Sequence, residues 1–146
     1  MLNLGHSDYF ANLIFSDIQL LIPQGDIFSL EPSLDIIDIK EKNSIGQVQQ
    51  AGITWSLYAL SGDLEVLKER PKQAHIVVLF KHTEPASGLL CEQISTIASK
   101  ELLIQDIPAA MYAKDSPLLA LAIYQNEVRF ISSAVALNKF FNSEET

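Results

Sequence analysis

The side chains best suited to covalent chemistry are a single cysteine and three histidines. Cys91 with His82 or His75 could supply a nucleophile and its base, because a thiolate needs a neighbouring imidazole or positive site to react. Cys91 lies in an apolar stretch, however, where cysteine is usually a small buried side chain. The histidines, including His6, also lack the spacing of a helical metal site. We therefore expect no metal and no cofactor.

Carboxylates offer a second candidate, in the acidic stretch that holds Asp35, Asp38 and Glu41. An acid and base pair needs two side chains that converge on one reacting group. Asp35 and Asp38 are three residues apart, so on a strand they point to opposite faces. We expect them to form a solvated edge rather than an active site.

Composition narrows the class of protein further. A chain of 146 residues that is 48% apolar fits one domain with a real core, and a formal charge of -8 repels the phosphate backbones of nucleic acids. No apolar run approaches the roughly 20 residues that cross a bilayer, so we expect no membrane insertion. The N-terminus does not resemble a secretory signal, and one cysteine suits a reducing compartment. A cytoplasmic protein that binds no nucleic acid is the prediction.

The clearest periodicity lies in residues 46–60. Apolar side chains alternate from Ile53 through Trp55, which predicts a strand with one buried face, and Gly52 stands where a tight turn needs a residue without a side chain. The segment is therefore predicted to be a β-hairpin. We expect Trp55 in the core, with an anchor at a protein interface as the alternative.

The remaining elements are short strands and two helices. A Ser-Gly-Asp cap at residues 61–63 predicts a short middle helix over 64–70, and Ser132 or Ser133 can cap a final helix over 134–141. The other predicted strands are 10–15, 18–23, 34–39, 75–80, 88–97, 102–107, 118–124 and 128–132, the last two forming a second hairpin. Parallel βαβ units are absent, so a mainly β, antiparallel, barrel-like fold is predicted.

Several short strings, taken in order, resemble the CheW-like family, the adaptor domains of bacterial chemosensory arrays. They are Leu21-Ile22-Pro23 followed by Ile27 and Leu30, then residues 51–60, 88–94 and 131–141. The chain departs from the family pattern where the family has arginine, proline and three aspartates, which here are Ala51, Ser56, Ala59, Glu92 and Ser133. A divergent member is implied.

The resemblance implies a fold and a domain plan. It implies two packed five-stranded SH3-like β-barrels with a groove between them, a short middle helix and a C-terminal helix. The whole chain, residues 1–146, would then be one CheW-like domain. A loosely held leader would cover 1–12, the two β-subdomains would lie within 13–141, and a tail would cover 142–146.

The resemblance also implies a function without chemistry. In the family, the first barrel binds the regulatory domain of a histidine kinase, and the groove region binds the tip of a chemoreceptor. We expect a non-enzymatic adaptor, with a type IV pilus (twitching motility) system as one setting. The expected protein-binding residues are Ile22, Gln24, Ile27, Gln50, Ala51, Gly52 and Trp55.

Two alternatives remain open on the sequence. One is a small β-barrel hydrolase or ligand-binding protein with a site near Cys91 and His82. The other is a structural partner in a pilus-linked complex that has lost kinase contact, because Ala51 replaces the family arginine.

Overall fold

The computed structural model describes residues 8–109 and 116–143. Within these ranges the chain forms eleven strands and one α-helix. The strands are β1 (Tyr9–Phe15), β2 (Ile18–Pro23), β3 (Ile27–Pro32), β4 (Gly46–Gln50), β5 (Ile53–Tyr58), β6 (Ile76–Phe80), β7 (Ser87–Cys91), β8 (Gln93–Ala98), β9 (Leu103–Gln105), β10 (Ala120–Tyr124) and β11 (Glu127–Ile131), and the helix is α1 (Ala134–Phe141).

The first and last strands of the chain make a six-stranded sheet in the order β8-β1-β2-β11-β10-β9. All its neighbours are antiparallel except β2 and β11. The two edge strands, β8 and β9, are joined only by residues 99–102, so the sheet must curl to bring its edges together. The curled sheet encloses a small apolar cluster of Phe10, Leu21, Ile97, Ala120, Ala122 and Ile131.

The middle strands make a five-stranded sheet in the order β3-β6-β7-β5-β4. Its edge strands are bridged by side chains. Gln50 Nε2 on β4 donates to Glu31 Oε1 on β3 at 2.8 Å, and the rings of Trp55 and Phe28 lie 5.0 Å apart. This sheet therefore curls as well, and it encloses Ile45, Val48, Trp55, Leu57, Ala59, Ala74, Val77, Leu79 and Leu90.

The main core lies between the two sheets and is closed by α1. Leu13 and Leu20 come from the six-stranded sheet, and Val78 comes from the five-stranded sheet; all three are fully buried. Helix α1 begins where Ser133 Oγ accepts a hydrogen bond from the backbone N–H of Ala136. The apolar face of α1 packs onto this core, and burial of apolar surface on this scale is the main force that joins the two sheets.

These observations confirm the main predictions. The protein is mainly β, with two packed β-units, both predicted hairpins and the C-terminal helix capped by Ser133. One unit has six strands rather than five, because the three-residue strand β9 joins its edge.

The predicted middle helix is wrong. Residues 64–70 form no helix, and Leu64 adopts a left-handed φ of 60°. Ser61 Oγ does accept from the backbone N–H of Asp63, as a cap would, and also from that of Glu65. However, Leu67 N–H donates to Ala59 O, and Val66 bridges Leu60. The backbone groups that a helix would need are used in pairing with Ala59 and Leu60, the two residues that follow β5.

Some strand boundaries also differ from expectation. The predicted strand 34–39 is a 3-10 turn at Ser33–Asp35 followed by a single bridge between Ile37 and Gln47. Strand β1 begins at Tyr9, so the last residues of the expected leader are strand. Residues 1–7 and 144–146, from the expected leader and tail, lie outside the described residues.

Candidate functional site

A groove of about 280 Å³ opens between the two sheets. Strands β1 and β8 form one wall, and β3 with the 3-10 turn before it forms the other. We call this the interface groove; it is lined by Ala11, Gln24, Ile27, Leu30, Ile94, Ser95 and Thr96. None of these side chains carries a charge, so the groove is suited to apolar side chains and neutral hydrogen-bonding groups.

Strand β3 gives the groove its most exposed apolar side chain. Leu30 is 49% exposed, and it pairs with Val78, a residue of the main core, so its side of β3 faces the space between the sheets. Phe28, on the same strand and 42% exposed, does not line the groove, because its ring contacts Trp55 of the five-stranded sheet. Exposed apolar side chains next to a concave apolar surface are typical of protein-binding sites.

A second surface lies at the loop between β4 and β5. Ala51 and Gly52 have φ angles of 55° and 74°, the positive pair that a two-residue type I′ hairpin loop requires. We call residues 50–53 the hairpin corner. Ala51, Gly52 and Ile53 are exposed, whereas Trp55 Nε1 donates to Gln50 O at 3.1 Å from within the core. A buried tryptophan thus supports the corner from behind.

Strand β3 connects the groove to the corner. Glu31 follows Leu30, and its strand partner is Val77, inside the five-stranded sheet. Glu31 therefore faces the seam between β3 and β4, where Gln50 Nε2 donates to it. The two sides of one short strand contribute to two neighbouring surfaces.

The expected binding residues are divided between these surfaces and the core. Gln24 and Ile27 line the interface groove, and Gln50, Ala51 and Gly52 form the hairpin corner. The other two expected residues, Ile22 and Trp55, are 0% and 4% exposed. They support the surfaces from within the protein. Ile22 pairs with Ala11 on the β1 wall of the groove, and Trp55 donates to Gln50 O behind the corner.

Sequence reasoning missed the wall that β8 contributes. Ile94, Ser95 and Thr96 reach the groove because β8 pairs with β1, which is far away in the chain. Ile94 is the last residue of the string 88–94 that carried the family resemblance, which was the available signal.

The cysteine is not placed for nucleophilic chemistry. Cys91 is fully buried, and burial, reinforced by the charge of Glu92, raises the pKa of its thiol. Cys91 pairs with Ile76 at the start of β6, whereas His82 follows the end of that strand. The strand alone spans about 13 Å at 3.3 Å per residue, so the thiol and this imidazole lie apart.

The acidic stretch does not form a site either. Asp38 makes a long ion pair with Arg70 at 3.8 Å, and Glu41 accepts from Gln47 Nε2 at 2.7 Å. Asp35 is exposed. Within residues 8–109 and 116–143, no group of three or more potential ligands could hold a metal ion. In the same ranges, no helix is long and apolar enough to cross a membrane.

The arrangement of two curled sheets around a shared core, with a groove between them and one C-terminal helix, is the CheW-like fold. No family model matches the sequence, and no curated protein does. Among solved structures, the chain is similar to the crystal structure of the scaffolding protein TtCheW from Thermoanaerobacter tengcongensis. The TM-score is 0.70 over 90% of this chain and 92% of that one, at 10% sequence identity.

Proposed function

We propose that the chain is a non-enzymatic scaffold that joins a chemoreceptor, or a related array protein, to a histidine kinase. The observation that carries this proposal is the likeness in fold to the scaffolding protein TtCheW over nearly the whole of both chains. A scaffold requires binding surfaces on a rigid frame, and it requires no reactive group.

The interface groove supports this function. Its lining is uncharged, it lies between two sheets that share one core, and exposed Leu30 stands on its wall. A groove of this kind accepts the apolar face of a helix, which is the form of a receptor tip. Contacts with the receptor tip or with the regulatory domain of the kinase would involve residues 22–27 and the hairpin corner.

The cellular setting belongs to the same proposal. The scaffold would act in the cytoplasm, and a type IV pilus system is one setting in which divergent members of the family occur. Ala51 has neither the charge nor the hydrogen-bonding fork of the family arginine, so this chain would hold its partner by shape and apolar contact.

Titration calorimetry with the full chain tests the proposal. The two probes are the regulatory domain of the kinase and the receptor-tip fragment encoded in the same genome. We expect each probe to bind with a micromolar dissociation constant. Failure of both probes to bind at high micromolar concentration would reject the proposed function.

A matched pair of variants locates the contact. Leu30→Glu places a charge on the groove wall and should weaken binding of the receptor tip at least tenfold, because burying an unpaired charge is costly (about 2 kcal/mol or more). Val128→Glu places the same charge on an exposed residue of β11 and should leave binding unchanged. Equal effects of the two variants would contradict the assignment of the groove.

Thiol labelling separates the scaffold from a cysteine-dependent enzyme. Because Cys91 is fully buried and its thiol pKa is raised, the native protein should react with a thiol reagent only as fast as it unfolds. Adding denaturant should give prompt labelling of one thiol. Rapid labelling of the native protein at neutral pH would favour the hydrolase alternative.

A further inference from the structure

We infer that Gln50 and Glu31 are positioning residues, which hold the hairpin corner and the wall of the interface groove together as one binding surface. This inference rests on the proposed function, and it assigns a role to a contact within the free protein.

The first observation is that β3 and β4 have no backbone pairing with each other at the corner end of the seam. Strands β3 and β4 are at opposite ends of the five-stranded sheet, so their outer edges are not paired with each other. At the other end of β4, Gln47 exchanges two backbone hydrogen bonds with Ile37, at 2.7 and 2.8 Å, in the segment that follows β3. At the corner end, the seam is closed by side chains. They are the hydrogen bond from Gln50 to Glu31, at 2.8 Å, and the ring contact of Phe28 with Trp55, at 5.0 Å.

The second observation is that both ends of this hydrogen bond are held in place. Glu31 Oε2 accepts from Ser29 Oγ at 2.8 Å, while Oε1 accepts from Gln50. On the other strand, Trp55 Nε1 donates to the backbone oxygen of Gln50 at 3.1 Å. The bond is also charge-assisted, because a carboxylate accepts from an amide, which makes it stronger than a neutral pair.

The third observation is the position of Glu31 between the two surfaces. Glu31 follows Leu30 on the groove wall, and its partner Gln50 precedes Ala51 at the corner. Leu30 and Glu31 are adjacent on β3, so a movement of Glu31 away from Gln50 would also displace Leu30 relative to the hairpin corner. In the described parts of the chain, Glu31 forms no ion pair that could replace Gln50.

The test is an exchange of the two side chains. Gln50→Glu alone puts two carboxylates at the seam and should open it. The double variant Glu31→Gln with Gln50→Glu restores the hydrogen bond with donor and acceptor reversed. Gln49→Glu is the matched control, because Gln49 Nε2 donates to Thr54 Oγ1 within its own hairpin.

Two measurements are made on each variant. Amide hydrogen exchange of the free protein reports on the corner itself. Here Gln50→Glu should speed exchange at residues 51–54 by about tenfold, whereas the double variant should return to within about threefold of the wild type. Titration with the receptor-tip fragment should show a loss of about fivefold for Gln50→Glu and recovery in the double variant. Gln49→Glu should change neither quantity.

The outcomes separate the two hypotheses. If Gln50→Glu leaves exchange unchanged, or if the double variant is no better than the single one, the positioning role is wrong. A third outcome is that the exchange rates change as expected and the wild type binds the receptor tip, but the affinities of the variants do not change with their exchange rates. The link between corner and groove would then be wrong. If the wild type binds neither probe, the proposed function fails, and exchange still decides whether the seam is held by this bond.

Discussion

The two hairpins that the sequence predicts, β4–β5 and β10–β11, have the same local construction. Each has a two-residue loop with both residues at positive φ: 55° and 74° at Ala51 and Gly52, and 51° and 67° at Gln125 and Asn126. All four loop residues are exposed. Backbone geometry alone therefore gives no reason why one loop should bind a partner and the other should not.

The hairpins differ at the third residue of their second strand. In β5 this residue is Trp55, which is 4% exposed and contacts Phe28 on a strand outside its own hairpin. In β11 it is Arg129, which is 8% exposed. Arg129 Nη1 contacts Glu127 at 3.4 Å, and its guanidinium lies 5.3 Å from the ring centre of Tyr124. Its Nε is buried without a hydrogen-bond partner among the described residues.

The difference shows how a loop becomes part of a larger surface. The side-chain contacts of Trp55 and Gln50 tie the β4–β5 loop to β3, and through β3 to the interface groove. The polar contacts of Arg129 stay within its own hairpin, which is held in the sheet by the backbone ladders to β2 and β9. The loop of the first hairpin is thus tied to a neighbouring strand by the contacts of Gln50 and Trp55. The second hairpin packs on its neighbours through core side chains such as Ala122 and Ile131, away from its loop.

The largest effect is expected from Trp55→Ala, which removes the anchor of the first hairpin. Loss of a buried tryptophan leaves a cavity and should lower the free energy of unfolding by about 3–5 kcal/mol. Because this is the chain's one tryptophan, urea unfolding should be followed by circular dichroism. Trp55→Phe keeps an aromatic ring against Phe28 and should cost about half as much or less. A cost below about 1 kcal/mol for Trp55→Ala would refute its role as an anchor.

The second largest effect is expected when a charge is placed on the loop of the first hairpin. Gly52→Asp puts a charge on the exposed hairpin corner and should weaken binding of the receptor tip about tenfold. Asp tolerates the left-handed conformation, so the free energy of unfolding should change by about 1 kcal/mol or less. Asn126→Asp, at the same position of the other loop, is the control and should bind as the wild type does. Similar losses of affinity in both variants would remove the distinction between the hairpins.

The third effect concerns Arg129. Among the described residues, its nearly buried guanidinium contacts the exposed carboxylate of Glu127 and the ring of Tyr124, and Nε has no hydrogen-bond partner. Its charge should therefore contribute little to stability. Arg129→Met keeps the volume of the side chain, and its free energy of unfolding should lie within about 1 kcal/mol of the wild type or above it. Thermal denaturation at matched pH measures this. A decrease of more than about 2 kcal/mol in the free energy of unfolding would mean that the guanidinium stabilises its hairpin as strongly as Trp55 stabilises the other.

Local signals in the sequence were sufficient for the hairpins and for α1. Alternating apolar residues around a turn specify a hairpin, and Ser133 beside an apolar helical face specifies a helix start. The middle helix was wrong although Ser61 offered an equally good cap. Val66 and Leu67 instead pair back to Leu60 and Ala59, which is a local turn that uses the backbone groups a helix would need. The capping pattern does not distinguish this turn from a helix start.

The surfaces were less predictable than the elements. The turn at Gly52 indicated where the corner lies, because the turn is a local feature. The groove depends on β8 pairing with β1, and the seam depends on Gln50 meeting Glu31 across a curled sheet. These contacts follow from how the strands close, which periodicity along the chain does not specify.

The smallest effects are expected at the second residue of each second strand, Thr54 and Val128. Thr54 Oγ1 accepts from Gln49 Nε2 at an exposed site, and Val128 opposes Ile123 while 59% exposed. Such cross-strand pairs contribute a few tenths of a kcal/mol, so Thr54→Val and Val128→Thr should each shift urea unfolding by about 0.5 kcal/mol or less. A shift above about 1 kcal/mol at either position would show that the outer faces of the hairpins matter as much as Trp55 and Gln50. The difference between the hairpins would then arise from contacts along their whole strands, and the contacts of Trp55 and Gln50 alone would not explain it.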